Sequence, residues 1–144
     1  MKKILVAVDL SDLAMTVIDY AAMLAGAFKS HVHLLHVETP ATSFIGNEMV
    51  PPVTAVENEE ETQRINQELS VMSEYLHQKG ITADYELAQG AVIETILKKA
   101  ENYSADLIIL GAHNHGFLYR AFIGSVCSGV SKHSQLPVMI IPGQ

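Results

Sequence analysis

A single α/β domain built on one mostly parallel five-stranded sheet is the fold class this sequence predicts. Two apolar runs, Ile4 to Val8 and Leu107 to Leu110, are continuous rather than alternating, as expected of parallel strands covered on both faces. Between strand-like runs lie stretches with apolar residues at helical spacing, so strand and helix signals alternate along the chain. The length, 144 residues, suits one domain, 1–144, and size scaling lets about two-thirds of its surface be buried.

The elements follow in order. Ile4 to Val8 reads as the first strand. Residues 12–28 place Ala14, Ile18, Ala21, Ala25 and Phe28 on one helical stripe. His31 to Val37 is the second strand. Pro40, Gly46, Pro51 and Pro52 then interrupt the pattern, and residues 38–56 are expected to form a long loop of the functional or mobile kind. Glu57 to Glu61 opens a helix with acids at its positive end, Ile65, Leu69, Met72 and Leu76 supply its buried stripe, and Gly80 closes it. Thr82 to Ala88 is more polar, which predicts an edge strand. Val92, Ile93, Ile96, Leu97 and Ala100 form the third helical stripe. Leu107 to Leu110 is the fourth strand, 111–124 a loop, Ser125 to His133 a short helix, and Val138 to Ile141 a last strand between Pro137 and Pro142.

Composition excludes several classes. A hydrophobic content of 49% with 17% charged residues is that of a folded globule. The net charge of −7 repels nucleic acid and anionic membrane, so neither is expected as a partner. One cysteine, Cys127, excludes an internal disulfide framework and a four-cysteine zinc site. The apolar run after Lys3 is too short for an export signal, and no window reaches the ~20 apolar residues of a spanning helix. A cytoplasmic location is expected.

In open α/β sheets, ligands sit beyond the carboxyl ends of the strands. Asp9 stands just after the first strand, where a carboxylate can accept hydrogen bonds from ribose hydroxyls; it or Ser11 can equally cap the following helix. Gly111 to Ser125 reads GAHNHGFLYRAFIGS. Gly111 permits a turn or close approach of a ligand. The free N–H groups after Gly124, with the Ser125 hydroxyl, can hold an anion without a lysine; the plainer reading is a glycine turn with a serine cap. His113 and His115 make a weak metal signal, and a polar lining fits them better. Arg120 reaches either a phosphate or solvent. Cys127 is a small buried residue or, at a helix start, a thiolate. His31, His33 and His36 read as sheet-face and strand-end residues. No motif for a nucleophile, a metalloprotease or a P-loop occurs.

Taken together, the residues Gly111-x2-Asn114-x9-Gly124-Ser125, KKILVAVD at the start, HLLHV at 33–37, GAVIETIL at 90–97, ADLIILG at 105–111 and LPVMIIP at 136–142 carry a resemblance. The chain resembles the universal stress proteins of the UspA superfamily, in their nucleotide-binding branch, over nearly its whole length. The resemblance implies a Rossmann-like, adenine nucleotide alpha hydrolase-like fold with strand order 3-2-1-4-5. It implies that Asp9 contacts adenosine and that the backbone of Val37 meets the adenine edge. It implies further that Gly111, Asn114, Gly124, Ser125 and Val126 surround the phosphates, with Gly90 bordering the same crevice. The family's second motif glycine is Asn114 here, a residue that reaches left-handed backbone more easily than most. The expected ligand is ATP, or AMP or ADP, with Mg²⁺ as companion to a triphosphate that has few basic neighbours. The expected assembly is a homodimer through Val138 to Ile141, acting as a nucleotide-dependent stress-response regulator rather than a dedicated enzyme. The alternatives are an interaction module of the same fold without nucleotide, a slow ATPase, and a flavodoxin-like electron carrier, the last disfavoured by 6% aromatics and no tryptophan.

Overall fold

The fold is known from a computed structural model, which describes residues 1–40, 43–45, 48–50, 55–112 and 124–143. Its elements are β1 (Lys3–Ala7), α1 (Ala14–Phe28), β2 (His31–Glu38), β3 (Ser43–Ile45), β4 (Glu48–Val50), α2 (Ala55–Gln78), β5 (Ala83–Gln89), α3 (Val92–Tyr103), β6 (Leu107–Ala112), α4 (Ser125–His133) and β7 (Val138–Pro142). Five strands form one sheet in the order β5-β2-β1-β6-β7, every pairing parallel. This is the 3-2-1-4-5 order, counted along the strands of the main sheet.

Consecutive apolar residues serve opposite faces. From β1, Ile4 and Val6 join Ile18, Leu34, Leu69, Leu76 and Ile109 under α1 and α2. Leu5 between them joins Leu35, Ile96, Ile108 and Val130 under α3 and α4. A strand buried on both sides has no polar face to alternate with, which is why its sequence shows an unbroken apolar run. The polar strand β5 is at one edge, as its composition predicts, and β7 is at the other.

Two boundaries differ from expectation. Residues 38–56 are not all loop: β2 reaches Glu38, β3 and β4 pair antiparallel with Ser43 opposite Val50 and Ile45 opposite Glu48, and α2 begins at Ala55. The sequence carried the signal, since two short β-prone runs flank Gly46-Asn47, a hairpin dipeptide masked by the surrounding prolines. β6 continues to Ala112, so Gly111 is a strand residue rather than a turn. Gly80 behaves as read: its φ is +76°, and Ile81 N–H donates to the Leu76 carbonyl at 3.0 Å to close α2.

The amino ends of the strands carry a polar network. The His33 ring lies between Asp84, which it bonds through Nδ1, and Glu86 Oε2 at 3.4 Å from Nε2; Glu86 also pairs with Lys99. The His33 ring stacks on Tyr103 with centroids 5.0 Å apart. Asp84 and Glu86 therefore place charge along the β5 edge. The chain start is pinned at the same end, where the Asp106 carboxylate accepts the amides of Lys2 at 2.6 Å and Lys3 at 2.9 Å.

Candidate functional site

At the carboxyl ends of the strands a cleft of about 410 Å³ opens between β1, β2 and the start of α4. Ala7, Val8 and Asp9 come from β1 and its continuation, Leu35, His36 and Val37 from β2, Val92 and Ile96 from α3, and Gly124 to Cys127 from α4. Crossovers in a parallel sheet return every chain end to the same side, so residues far apart in sequence converge there.

Asp9 is exposed at the cleft mouth. Its Oδ1 accepts the Ser11 hydroxyl at 2.6 Å and the Ser11 amide at 3.1 Å, and the Ser11 hydroxyl in turn accepts the Leu13 amide at 3.3 Å. Neither residue is the helix cap: the N-cap position of α1 is Leu13, with no side-chain capping bond. The bonds shape a tight turn through Leu10, whose φ of +59° is unusual for a residue with a Cβ.

At the facing wall, Gly124 occupies the N-cap position of α4 and Ser125 its first turn. Gly124 makes no side-chain capping bond, and the first turn holds no acid. The plainer reading of a serine cap thus fails, because Ser125 stands one residue inside the helix. Among the described residues no side chain caps this helix start, which presents the positive end of the helix to the cleft. Among the described residues, a Cβ added at Gly124 would meet nothing within 4 Å.

Cys127 is buried, and its thiol donates to the Gly111 carbonyl at 3.4 Å. Burial first, and the charge of Asp9 second, push this thiol up from its ordinary value. It is therefore a packed thiol rather than a reactive thiolate. Gly111 does not line the cleft; a Cβ there would press on Leu13 and Val17 at 3.0 Å, so its role is close packing of α1 on β6, not approach of a ligand. Gly90 stands outside the cleft lining too. Its φ of +147° and the 2.7 Å that a Cβ would leave to Thr95 Oγ1 explain the glycine. Asn114, His113, His115 and Arg120 lie outside the described residues. Among the described residues, no group of three His, Cys, Asp or Glu side chains is placed to hold a metal ion.

The structure thus brings Asp9, Val37, Gly124, Ser125 and Val126 around one cleft. His36, read from sequence only as a strand-end residue, lines it as well. Its signal was a histidine inside the apolar run HLLHV, beside the ligand end of a central strand.

Comparison with known proteins agrees with this architecture. The model of the universal stress protein family matches residues 1–142. Universal stress protein YxiE of Bacillus subtilis is 30% identical, covering 96% of this chain and 97% of that protein. Among solved structures, the universal stress protein of Archaeoglobus fulgidus in complex with dAMP superposes with a TM-score of 0.70 at 22% identity, over 98% of both chains. A universal stress protein in complex with cAMP gives 0.73 at 18%, over 98% of this chain and 96% of that one. With its length matched almost from end to end, this chain belongs to the universal stress protein family.

Proposed function

We propose that this protein binds ATP or a related adenine nucleotide in the cleft at the carboxyl edge of the sheet and acts as a nucleotide-dependent, dimeric regulator in the cytoplasm. The observation that carries the reading is the pairing, across one cleft, of the Asp9 carboxylate with the uncapped start of α4 at Gly124 and Ser125. A carboxylate suits ribose hydroxyls, which donate to it. A helix start with free amides and a hydroxyl suits phosphate, which accepts from it. Between them, Val37 offers strand backbone to the adenine edge and Val126 closes the apolar wall. Two proteins of the same fold are seen with dAMP and cAMP, which supports the ligand class.

In this reading Gly111 packs the end of β6, and Asn114, in the segment that follows, is assigned to the phosphates. Mg²⁺ would accompany a triphosphate. Asp9 is the one carboxylate among the described lining residues, so most of the ion's ligands would be phosphate oxygens and water. β7 is an edge strand of the sheet among the described residues, with Val138, Met139 and Ile140 half-buried. Two copies would meet there across a two-fold axis.

Calorimetric titration with ATP, ADP and AMP, with and without Mg²⁺, tests the reading. Ser125→Ala is expected to weaken binding about ten- to a hundredfold, the value of a hydrogen bond to a charged group. Wild-type affinity in Ser125→Ala and Asp9→Ala together removes the assignment. Mass spectrometry of small molecules released from the purified protein identifies the nucleotide carried from the cell.

A further inference from the structure

His36 is the polar side chain of the cleft that nucleotide binding, as described, does not employ. We propose that it is a positioning residue: its ring braces the end of β1 against the end of β2 and so fixes the turn that presents Asp9. The functional consequence rests on the nucleotide reading above; the brace itself does not.

The ladder between β1 and β2 runs out at this point. β1 ends at Ala7, and the Val8 amide makes the last strand-to-strand bond, to the Leu35 carbonyl at 2.9 Å. Val8 is 5% exposed, so its carbonyl has little access to water and needs a partner within the protein. His36 Nδ1 supplies it at 2.7 Å from a ring that is itself buried. A carbonyl only accepts, so Nδ1 carries the hydrogen. The other ring nitrogen lies 3.2 Å from Glu38 Oε1. The Glu38 carbonyl accepts the Gly90 amide at 3.0 Å, beyond the end of β5. The imidazole thus ties the end of β1 to that of β2, and the Glu38 main chain separately ties β2 to β5.

The turn it steadies is strained. Leu10 sits in left-handed backbone at φ +59°, a conformation that persists only when its surroundings hold it. Ser11 secures one side through Asp9 Oδ1. His36 secures the other through the carbonyl that immediately precedes Asp9. Loss of the ring would take from a buried carbonyl its side-chain partner and let the Asp9 turn relax.

The test uses shape mimics. In His36→Asn the side-chain amide can reach the place of Nδ1; in His36→Gln it reaches the place of Nε2; His36→Leu offers no donor. The first readout is nucleotide-free: hydrogen exchange of the Leu10 and Ser11 amides. Exchange about tenfold faster in His36→Leu and His36→Gln, restored to within about threefold by His36→Asn, supports the brace. The second readout is affinity for AMP and for ATP with Mg²⁺, expected to fall about tenfold in the Leu and Gln variants and to recover in the Asn variant. Unchanged exchange in all three, or an Asn variant no better than the Gln variant, overturns the proposal. Should His36→Leu fail to fold, the contrast between Asn and Gln decides. Should the wild-type protein take up neither nucleotide, the proposed function fails, and the exchange comparison still scores the brace.

Discussion

Gly90, Gly111 and Gly124 look alike in the sequence, yet the backbone asks different things of them. Gly90 has both a left-handed φ and a Thr95 hydroxyl in the way, so Gly90→Ala is expected to cost about 1–3 kcal/mol in thermal or urea unfolding. Gly124 has an ordinary φ of −53° and no described atom within 4 Å of an added Cβ, so Gly124→Ala should unfold within about 0.5 kcal/mol of wild type, while Gly124→Leu should weaken the proposed nucleotide binding on an intact fold. Only coordinates separate these cases, because a glycine's reason lies in what surrounds it. The same holds for His36: the sequence shows a histidine at a strand end, but not the carbonyl it meets. Two groups make titration predictions. Burial first, and the Asp84 charge second, push the Tyr103 phenol up to about 12. Its folded value exceeds the unfolded ~10, so its contribution is intact below pH ~10 and lost as pH rises through about 12. Stability measured across that window should fall less steeply in Tyr103→Phe. The Asp106 carboxyl is held below its usual range by the Lys2 and Lys3 amides. Its contribution is present above pH ~4 and lost as pH falls further, so Asp106→Asn should flatten the acid limb of the same profile.

At the level of elements, the sheet was readable because physics writes it twice. Continuous apolar runs mark strands covered on both faces, and the polar composition of β5 marks its exposed place at the edge. The hairpin of β3 and β4 was missed because prolines on both sides outweighed a two-residue turn signal, and three-residue strands leave little periodicity to detect. The start of α4 was placed correctly at Ser125, but the cap is Gly124, a distinction of one residue that decides whether the serine hydroxyl is spent. The edge strand makes its own prediction. Ile140→Pro in β7 removes a donor from the pairing edge, and Ile140→Lys sets like charges face to face across a two-fold axis. Either is expected to convert a dimer to monomer in sedimentation velocity at micromolar concentration. A wild-type monomer under those conditions argues against the β7 contact.

For the whole molecule, a ligand that binds only the folded state must raise its stability. Nucleotide at about a hundred times its Kd should add about 2.7 kcal/mol, read as a rise in melting temperature that Asp9→Ala and Ser125→Ala diminish. Fold class and strand order were legible over the entire chain; the cleft was legible only in its strand-end and helix-start residues, since its remaining wall follows from how three strand ends are tied together. The two borders of the sheet also differ in character, β7 apolar and β5 lined by Asp84 and Glu86. Joining unlike borders would add sheet to sheet without end, in a growing filament. A guarded border on one side and a receptive one on the other would leave the proposed self-association a single closed solution, a pair of subunits joined border to like border.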